Sequence, residues 1–403
     1  MERAAPAFLL LSDPPPMPPA RPSSRLSRFA RRAALALLST LLALGLGEVV
    51  LRLVSGNACY VWPPYMHQAL HPIPDVMPGV SGTSRFLVNS IGLRGDEPAK
   101  ERDIRILALG GSTTECLYLD QTEAWPHVLQ DLLGPRVWVG NAGRSGLTTR
   151  HHRLQAETLL DEIPGIDVVI VLAGANDLCI RLARDTAWAP VDFNSLEAVA
   201  PLMQEAFEVR PPRFAAGRRH HRTALHQTLK KLSRLLRPGG ATQDPSGRVY
   251  QVWRRHRREA PVLRQRLPDL APALAEYAAN LRAIARAAAR HGARIVFVTQ
   301  PSLWRNDLPP DLQRLLWMGG LGRYQKEAGH EYYTISALVE GMAIYNRVLL
   351  DTCRQIPGAV CVDLAAELPR DTTMFYDDVH FNEAGSRRVA GILAGRIKAT
   401  GIR

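Results

Sequence analysis

The stretch Ile104 to Thr114, IRILALGGSTT, restricts the fold of this chain more than any other feature. Apolar side chains at Ile104, Ile106, Leu107 and Leu109 leave no polar face, the pattern of a strand covered on both sides. Gly110 and Gly111 then permit a sharp turn that delivers the Ser112 hydroxyl at the carboxyl end of a central strand. Open α/β sheets build their sites at that edge. Alone, the segment also describes a phosphate cradle or an ordinary strand-to-helix turn. The phosphate motif wants a Lys before its Ser or Thr, and none is present.

Similar units follow along the chain. A helix over Glu123 to Leu133 leads to a strand at Arg136 to Val139, and the turn NAGRSGLTT, Asn141 to Thr149, opens the next helix. The strand Val168 to Leu172 ends in GAND, Gly174 to Asp177. From about 182 to 291 the strand signal gives way to helical patterns broken by prolines, which reads as a long helical insertion. A strand at Arg294 to Thr299 resumes the sheet. Helix Leu338 to Gln355, strand Val360 to Leu364, the loop FYDDVHFN (Phe375 to Asn382) and helix Glu383 to Lys398 complete the chain. Five strands alternating with helices predict a three-layer α/β/α sandwich around a five-stranded parallel sheet, occupying residues 101–403.

The first third is different. Residues 1–32 combine a proline cluster with Arg21, Arg25, Arg28, Arg31 and Arg32, the composition of a disordered basic tail. Residues 33–54 are almost wholly apolar, and 22 residues make about 33 Å of helix, enough to cross a bilayer core. Glu48 and Arg52, four apart, are placed to pair on one helix face. Arginines crowd before the span and are sparse just after it, which predicts a cytoplasmic amino terminus and an exported catalytic domain. A chain starting at Met17 would read as a secretory signal. Ser55-Gly56-Asn57-Ala58 makes a poor cleavage site, so an uncleaved anchor is favoured. Residues 55–100, rich in Pro and Gly, read as a small extended subdomain or linker.

The formal charge of +12 is concentrated: between Arg210 and Arg266 stand 16 Lys and Arg against only Asp244 and Glu259. No nucleic-acid motif accompanies this block, and Leu225, Leu229, Leu232 and Leu236 recur among the arginines at helical spacing. A solvated face of the insertion is the plain reading; a surface for anionic lipid or acidic polysaccharide is the sharper one. The five cysteines fit no metal spacing. Cys353 and Cys361 flank a short turn and are placed to pair in an oxidising compartment, while the odd count leaves at least one thiol free. His151 and His152 begin a helix beside arginines and read as solvated. Cys116 and Trp125 read as buried apolar residues.

Chemistry enters when the loops are combined, since Ser112, Gly146, Asn176 and the Asp377/His380 pair all lie just beyond strands. A serine hydroxyl needs a base near neutrality, and His380 suits that role. Asp377, three residues earlier, can hold the other ring nitrogen; Asp378 is nearer in sequence, but the three-residue spacing lets a tight turn bring its carboxylate alongside the ring. The backbone N–H groups of Ser112 and Gly146 and the Asn176 carboxamide are candidate donors to an oxyanion, and a side chain at Gly146 would obstruct a substrate.

This ordered set resembles the SGNH/GDSL hydrolase family. GGST resembles its first block, with Ser112 as nucleophile; SGLTT its second, with Gly146 as oxyanion donor; GAND its third, with Asn176 as the other donor; and DDVH its last, with Asp377 and His380 completing a triad. Glu123-Ala124-Trp125-Pro126 is also similar to the family. Gly111 stands where the family's name has Asp, a residue outside the triad. The resemblance covers about 104–172 and 294–398. It implies a flavodoxin-like fold and a membrane-anchored serine esterase without cofactor or metal, acting on an acylated glycan or lipid through an acyl-enzyme. The alternatives are an O-acyltransferase of envelope or exported polysaccharide, and a non-catalytic carbohydrate-binding or assembly module.

Overall fold

The computed structural model describes residues 24–55, 59–98, 103–208 and 245–401, with short pieces at 224–225, 228–229 and 232–233. The chain divides into two compact units, Met1–Val54 and Ser55–Arg403. In the first, one helix runs Ser24–Ser55. Its candidate membrane span, Arg28–Leu51, is 24 residues long and unburied. The basic tail expected through residue 32 is therefore already helical from Ser24; residues 1–23 lie outside the described residues, as does the Arg52 side chain of the expected Glu48 pair.

In the second unit the sheet dominates. Strands β3 (Ile104–Gly110), β4 (Val137–Asn141), β5 (Val168–Leu172), β7 (Arg294–Val298) and β9 (Val360–Val362) form one sheet in the order β4-β3-β5-β7-β9. Every neighbouring pair is parallel, with Ile106 opposite both Val139 and Val168. All five residues of β5, VVIVL, are buried, as a central strand between two helical layers requires. Helices Trp125–Leu133 and Glu383–Ala399 pack together on one side. Thr149–Glu162, Ala271–Arg290 and Ile335–Arg354 form the other layer. This is the three-layer α/β/α sandwich expected. Trp125 and Cys116 are buried, and Cys353 is joined to Cys361 by a disulfide.

Three regions differ from the sequence reading. Residues 55–100 are not a separate extended piece: β1 (His67–Leu70) and β2 (Ser84–Leu87) form an antiparallel hairpin whose Leu70 and Phe86 join the core of the second unit. The insertion is helical over Leu196–Ala206, Val249–Arg258 and the start of Ala271–Arg290. It also holds a two-residue strand, β6 (Leu263–Arg264), paired with β8 (Tyr332–Tyr333). Of 209–244 only the short helical pieces are described; there Leu225 is partly buried while Leu229 and Leu232 of the leucine repeat are exposed, and Leu236 lies outside the described residues. The arginines of Val249–Arg258 are not one solvated face: Arg255 and Arg258 are exposed, but Arg254 and Arg257 are buried. His151 and His152, expected in solvent, are buried as well. His151 accepts a hydrogen bond from the Thr148 N–H (3.0 Å) and caps its helix, while Nε2 meets Glu205 at 2.9 Å.

Arg94 explains how the hairpin segment belongs to the core. Its backbone bridges Asn141 at the end of β4 (3.0 and 3.1 Å). Its buried guanidinium donates to Gln121 Oε1 (3.0 Å) and to the carbonyls of Glu115 (2.5 Å), Cys116 (2.6 Å) and Leu119 (2.7 Å). Burial pushes this guanidinium down to about 10, and the neighbouring acidic groups Glu115 and Asp120 oppose that push. The segment before the sheet thereby grips the turn just after Ser112. Arg94→Met would strand those carbonyls without donors, and a loss of about 2–3 kcal/mol is expected in chemical denaturation of the purified protein. An unchanged denaturation midpoint would refute this account of the segment.

Candidate active site

Ser112 opens the one-turn helix Ser112–Glu115 directly after β3. The two glycines before it are needed for close approach. A Cβ on Gly110 would lie 2.1 Å from Thr114 Oγ1 and 2.9 Å from the Leu172 carbonyl, and one on Gly111 would lie 2.4 Å from Asn176 Nδ2. Where the family's name has Asp, this chain leaves room for the Asn176 carboxamide.

Ser112 Oγ lies 2.6 Å from His380 Nε2. His380 Nδ1 lies 2.7 Å from Asp377 Oδ2 and 2.9 Å from Oδ1. Asp377 Oδ1 also accepts the N–H groups of Val379 (3.0 Å) and His380 (2.9 Å), so a tight turn aligns carboxylate and ring. Asp378 points elsewhere: it accepts from Trp304 Nε1 (2.8 Å) and the Trp317 N–H (2.7 Å). Both carboxylates are fully buried. Burial would raise Asp377, but the His380 charge and the hydrogen bonds from His380 and Trp317 outweigh it and hold the group below its ordinary value. Burial and the Asp377 charge push Asp378 up to about 6. Burial would lower His380, yet attraction to Asp377 prevails and its pKa is raised.

Two loops approach from the other side. Asn176, in the first turn of Ala175–Arg184, donates from Nδ2 to the Leu147 carbonyl (2.8 Å), and it lines one cavity with Ser112, Leu147 and Val379. Asp177 Oδ1 accepts from Thr149 N (3.0 Å) and Oγ1 (2.6 Å), so neighbouring residues of GAND fasten the SGLTT loop twice. Gly146 is exposed on that loop at φ +79°, and a Cβ added there would meet no atom within 4 Å beyond its own chain neighbours. The left-handed backbone favours glycine there, and the space beside it is open. Among the described residues no backbone carbonyl takes the N–H of Ser112 or Gly146.

Sequence reasoning missed Trp317. Its indole donates to Asp377 Oδ2 (2.9 Å), and its ring lies within 8° of parallel to the His380 ring. Tyr376 stacks on the same imidazole with centroids 5.4 Å apart. Glu115, buried with a raised pKa that burial causes, accepts from Ser145 Oγ beside Gly146. No local pattern points to Trp317, but the adjacency of Tyr376 to Asp377 is visible in the sequence. Chemically, a hydroxyl bonded to an imidazole whose far nitrogen meets a buried carboxylate is equipped to lose its proton to the ring.

A family model described as "GDSL-like Lipase/Acylhydrolase family" matches residues 108–388. No curated protein matches the chain. Similar solved structures include TesA, 16% identical over 73% of this chain and 99% of that one, with a TM-score of 0.38. The native M. smegmatis aryl esterase is 15% identical over 74% and 99%, with a TM-score of 0.36. Axe2, an acetylxylan esterase from Geobacillus stearothermophilus, is 16% identical over 74% and 95%, also with a TM-score of 0.36.

The opposing effects on His380 can be separated by titration. Nitrogen NMR of the ring should give a pKa above the ordinary 6.5. In Asp377→Asn the burial effect is left without its main opponent, so the pKa should fall below 6.5. A His380 that titrates in this variant at the native pH would contradict the assigned cause.

Proposed function

Because the chain belongs to the GDSL-like lipase/acylhydrolase family and is a hydrolase of ester bonds, we propose that it is a serine esterase using Ser112, His380 and Asp377. The observation that carries this reading is the unbroken hydrogen-bonded row from Ser112 Oγ through His380 to buried Asp377. Ser112 Oγ attacks the ester carbonyl carbon as its proton passes to His380 Nε2, and the imidazolium is stabilised by Asp377. The carbonyl electrons move onto oxygen, which the Ser112 and Gly146 N–H groups and the Asn176 carboxamide receive. Collapse breaks the carbon–oxygen bond to the alcohol, which leaves with the proton from His380. Water then attacks the acyl-enzyme, gives its proton to His380, and the regenerated Ser112 takes it back as the acid departs.

The substrate we infer is an acyl ester of a glycan or lipid, met outside the cytoplasm by a catalytic unit tethered through the Ser24–Ser55 helix. Support for the tether is the unburied span Arg28–Leu51, whose apolar run from residue 33 follows a cluster of arginines. Support for the export side is the Cys353–Cys361 disulfide, a bond that persists in oxidising compartments.

The test uses the full chain in detergent micelles. A fluorophosphonate should label Ser112, as read by peptide mapping, and p-nitrophenyl acetate should be hydrolysed with an acid limb of kcat/KM above pH 6.5, since only neutral His380 accepts the proton. Ser112→Ala should lower kcat by about 10⁴-fold or more with little change in the melt, and His380→Ala should lower kcat as far while also lowering the melt, because it takes from buried Asp377 its main partner. Asn176→Ala should lose about 10²–10³-fold. A fully active Ser112→Ala enzyme would end the proposal.

A further inference from the structure

Helix Val249–Arg258 comes from the insertion, yet one of its faces is buried at the proposed relay. Tyr250, Trp253, Arg254 and Arg257 recur at spacings of three and four and therefore share a side. Tyr250 meets the His380 ring edge-on, with centroids 6.1 Å apart, and Trp253 packs on Trp317 at 4.7 Å. Two buried guanidinium groups on this face ask for an explanation, because a charge is kept out of water only where its donors are satisfied.

Their acceptors are main-chain carbonyls. Arg254 donates from Nε to Leu315 (3.0 Å), from Nη1 to Val76 (2.7 Å) and from Nη2 to Tyr376 (3.0 Å). Arg257 donates to Met318 (2.6 Å) and Tyr333 (3.0 Å). The choice of carbonyls is specific. Leu315 and Met318 bracket Trp317, whose indole bonds Asp377, and Tyr376 immediately precedes Asp377. Arg254 thus sits at the joint between the loop that supplies the indole and the loop that supplies carboxylate and imidazole. It also attracts both Asp377 and Asp378, two adjacent buried carboxylates that repel one another.

We propose that Arg254 is a positioning residue for ester hydrolysis: by holding the Leu315, Val76 and Tyr376 carbonyls together it fixes the Trp317 loop against the Asp377–His380 loop and keeps the imidazole in line with Ser112. Only arginine fits the task. Its planar fork directs donors to three chain segments at once, whereas a lysine ammonium presents its donors from a single point. The insertion is then a working part of the hydrolytic site, and the division of its arginines into buried and exposed sets has a cause. This inference rests on the serine-relay reading, because it acts through Asp377.

Arg254→Met, Arg254→Lys and the exposed control Arg255→Met should be compared in the full-length enzyme with p-nitrophenyl acetate. A misaligned relay loses kcat on the order of 100-fold with KM within about threefold, and this is expected for Arg254→Met. Arg254→Lys should recover only part of that loss, and Arg255→Met should stay within about twofold of wild type. The deciding readout is a double-mutant cycle with Asp377→Asn. If Arg254 works through Asp377, Arg254→Met should cost less than about threefold in kcat on the Asp377→Asn background, while its effect on the melt persists on both backgrounds. Native kcat in Arg254→Met, or a full loss repeated on the Asp377→Asn background, overturns the proposal. Should Arg254→Met not fold, Arg254→Lys carries the test: a kcat loss of at least about tenfold at unchanged KM supports it, and native kcat overturns it. Fluorophosphonate labelling separates the two levels. Ser112 labelled in wild type with native kcat in the Arg254 variants overturns the positioning role alone, whereas no label and no turnover in wild type overturns the esterase reading beneath it.

Discussion

Everything at the candidate site depends on keeping the Asp377 carboxylate ionised where water cannot reach it. Removing a carboxylate from water is costly unless hydrogen bonds and nearby positive charge replace the hydration. Asp377 has such replacements on every side: the His380 ring, the Trp317 indole, and the N–H groups of Val379 and His380. The environment that keeps the anion stable also raises His380, so one cluster of contacts sets both the geometry and the proton affinity of the imidazole.

Those contacts recruit parts of the chain that a hydrolase sheet alone would not supply. Trp317 stands on a long connection after β7, Arg254 on a helix of the insertion, and Arg94 on the segment before the sheet. Arg94 and Arg254 both direct donors to main-chain carbonyls of irregular chain beside the site, Cys116 just after the Ser112 turn and Val76 and Tyr376 near the Asp377 loop, where no regular ladder satisfies them. The loops at the candidate site are therefore held from outside the sheet as well as by it. A second clamp, from Asp177 to Thr149 and from Asn176 to Leu147, joins the two donor loops to each other.

The family placement and the parallel sheet are legible in the sequence because they rest on local signals: strand periodicity, glycine turns, and short blocks in a fixed order. Ser112, His380 and Asp377 can be named from their blocks, and the structure sets them in one hydrogen-bonded row. His151 and His152 depart from the solvated reading because polarity at a helix start says nothing about what covers it; Glu205 and the helix cap draw His151 inside. The Arg-rich helix departs for a related reason. Composition gives the charge, but the position of each arginine around the helix decides which ones meet water.

By itself, the sequence determined the alternation of strands and helices, the glycine turn that carries Ser112, the candidate site residues and the apolar amino-terminal span, since each is written in residues close together along the chain. Only the tertiary structure decided that Trp317 supports Asp377 across 60 residues, that Arg254 reaches Val76 across 178, and that residues 59–98 belong to the same compact unit as the sheet. The physical reason is that these contacts are made by single side chains satisfying distant backbone or carboxylate groups, and such pairings leave no periodic trace in the sequence.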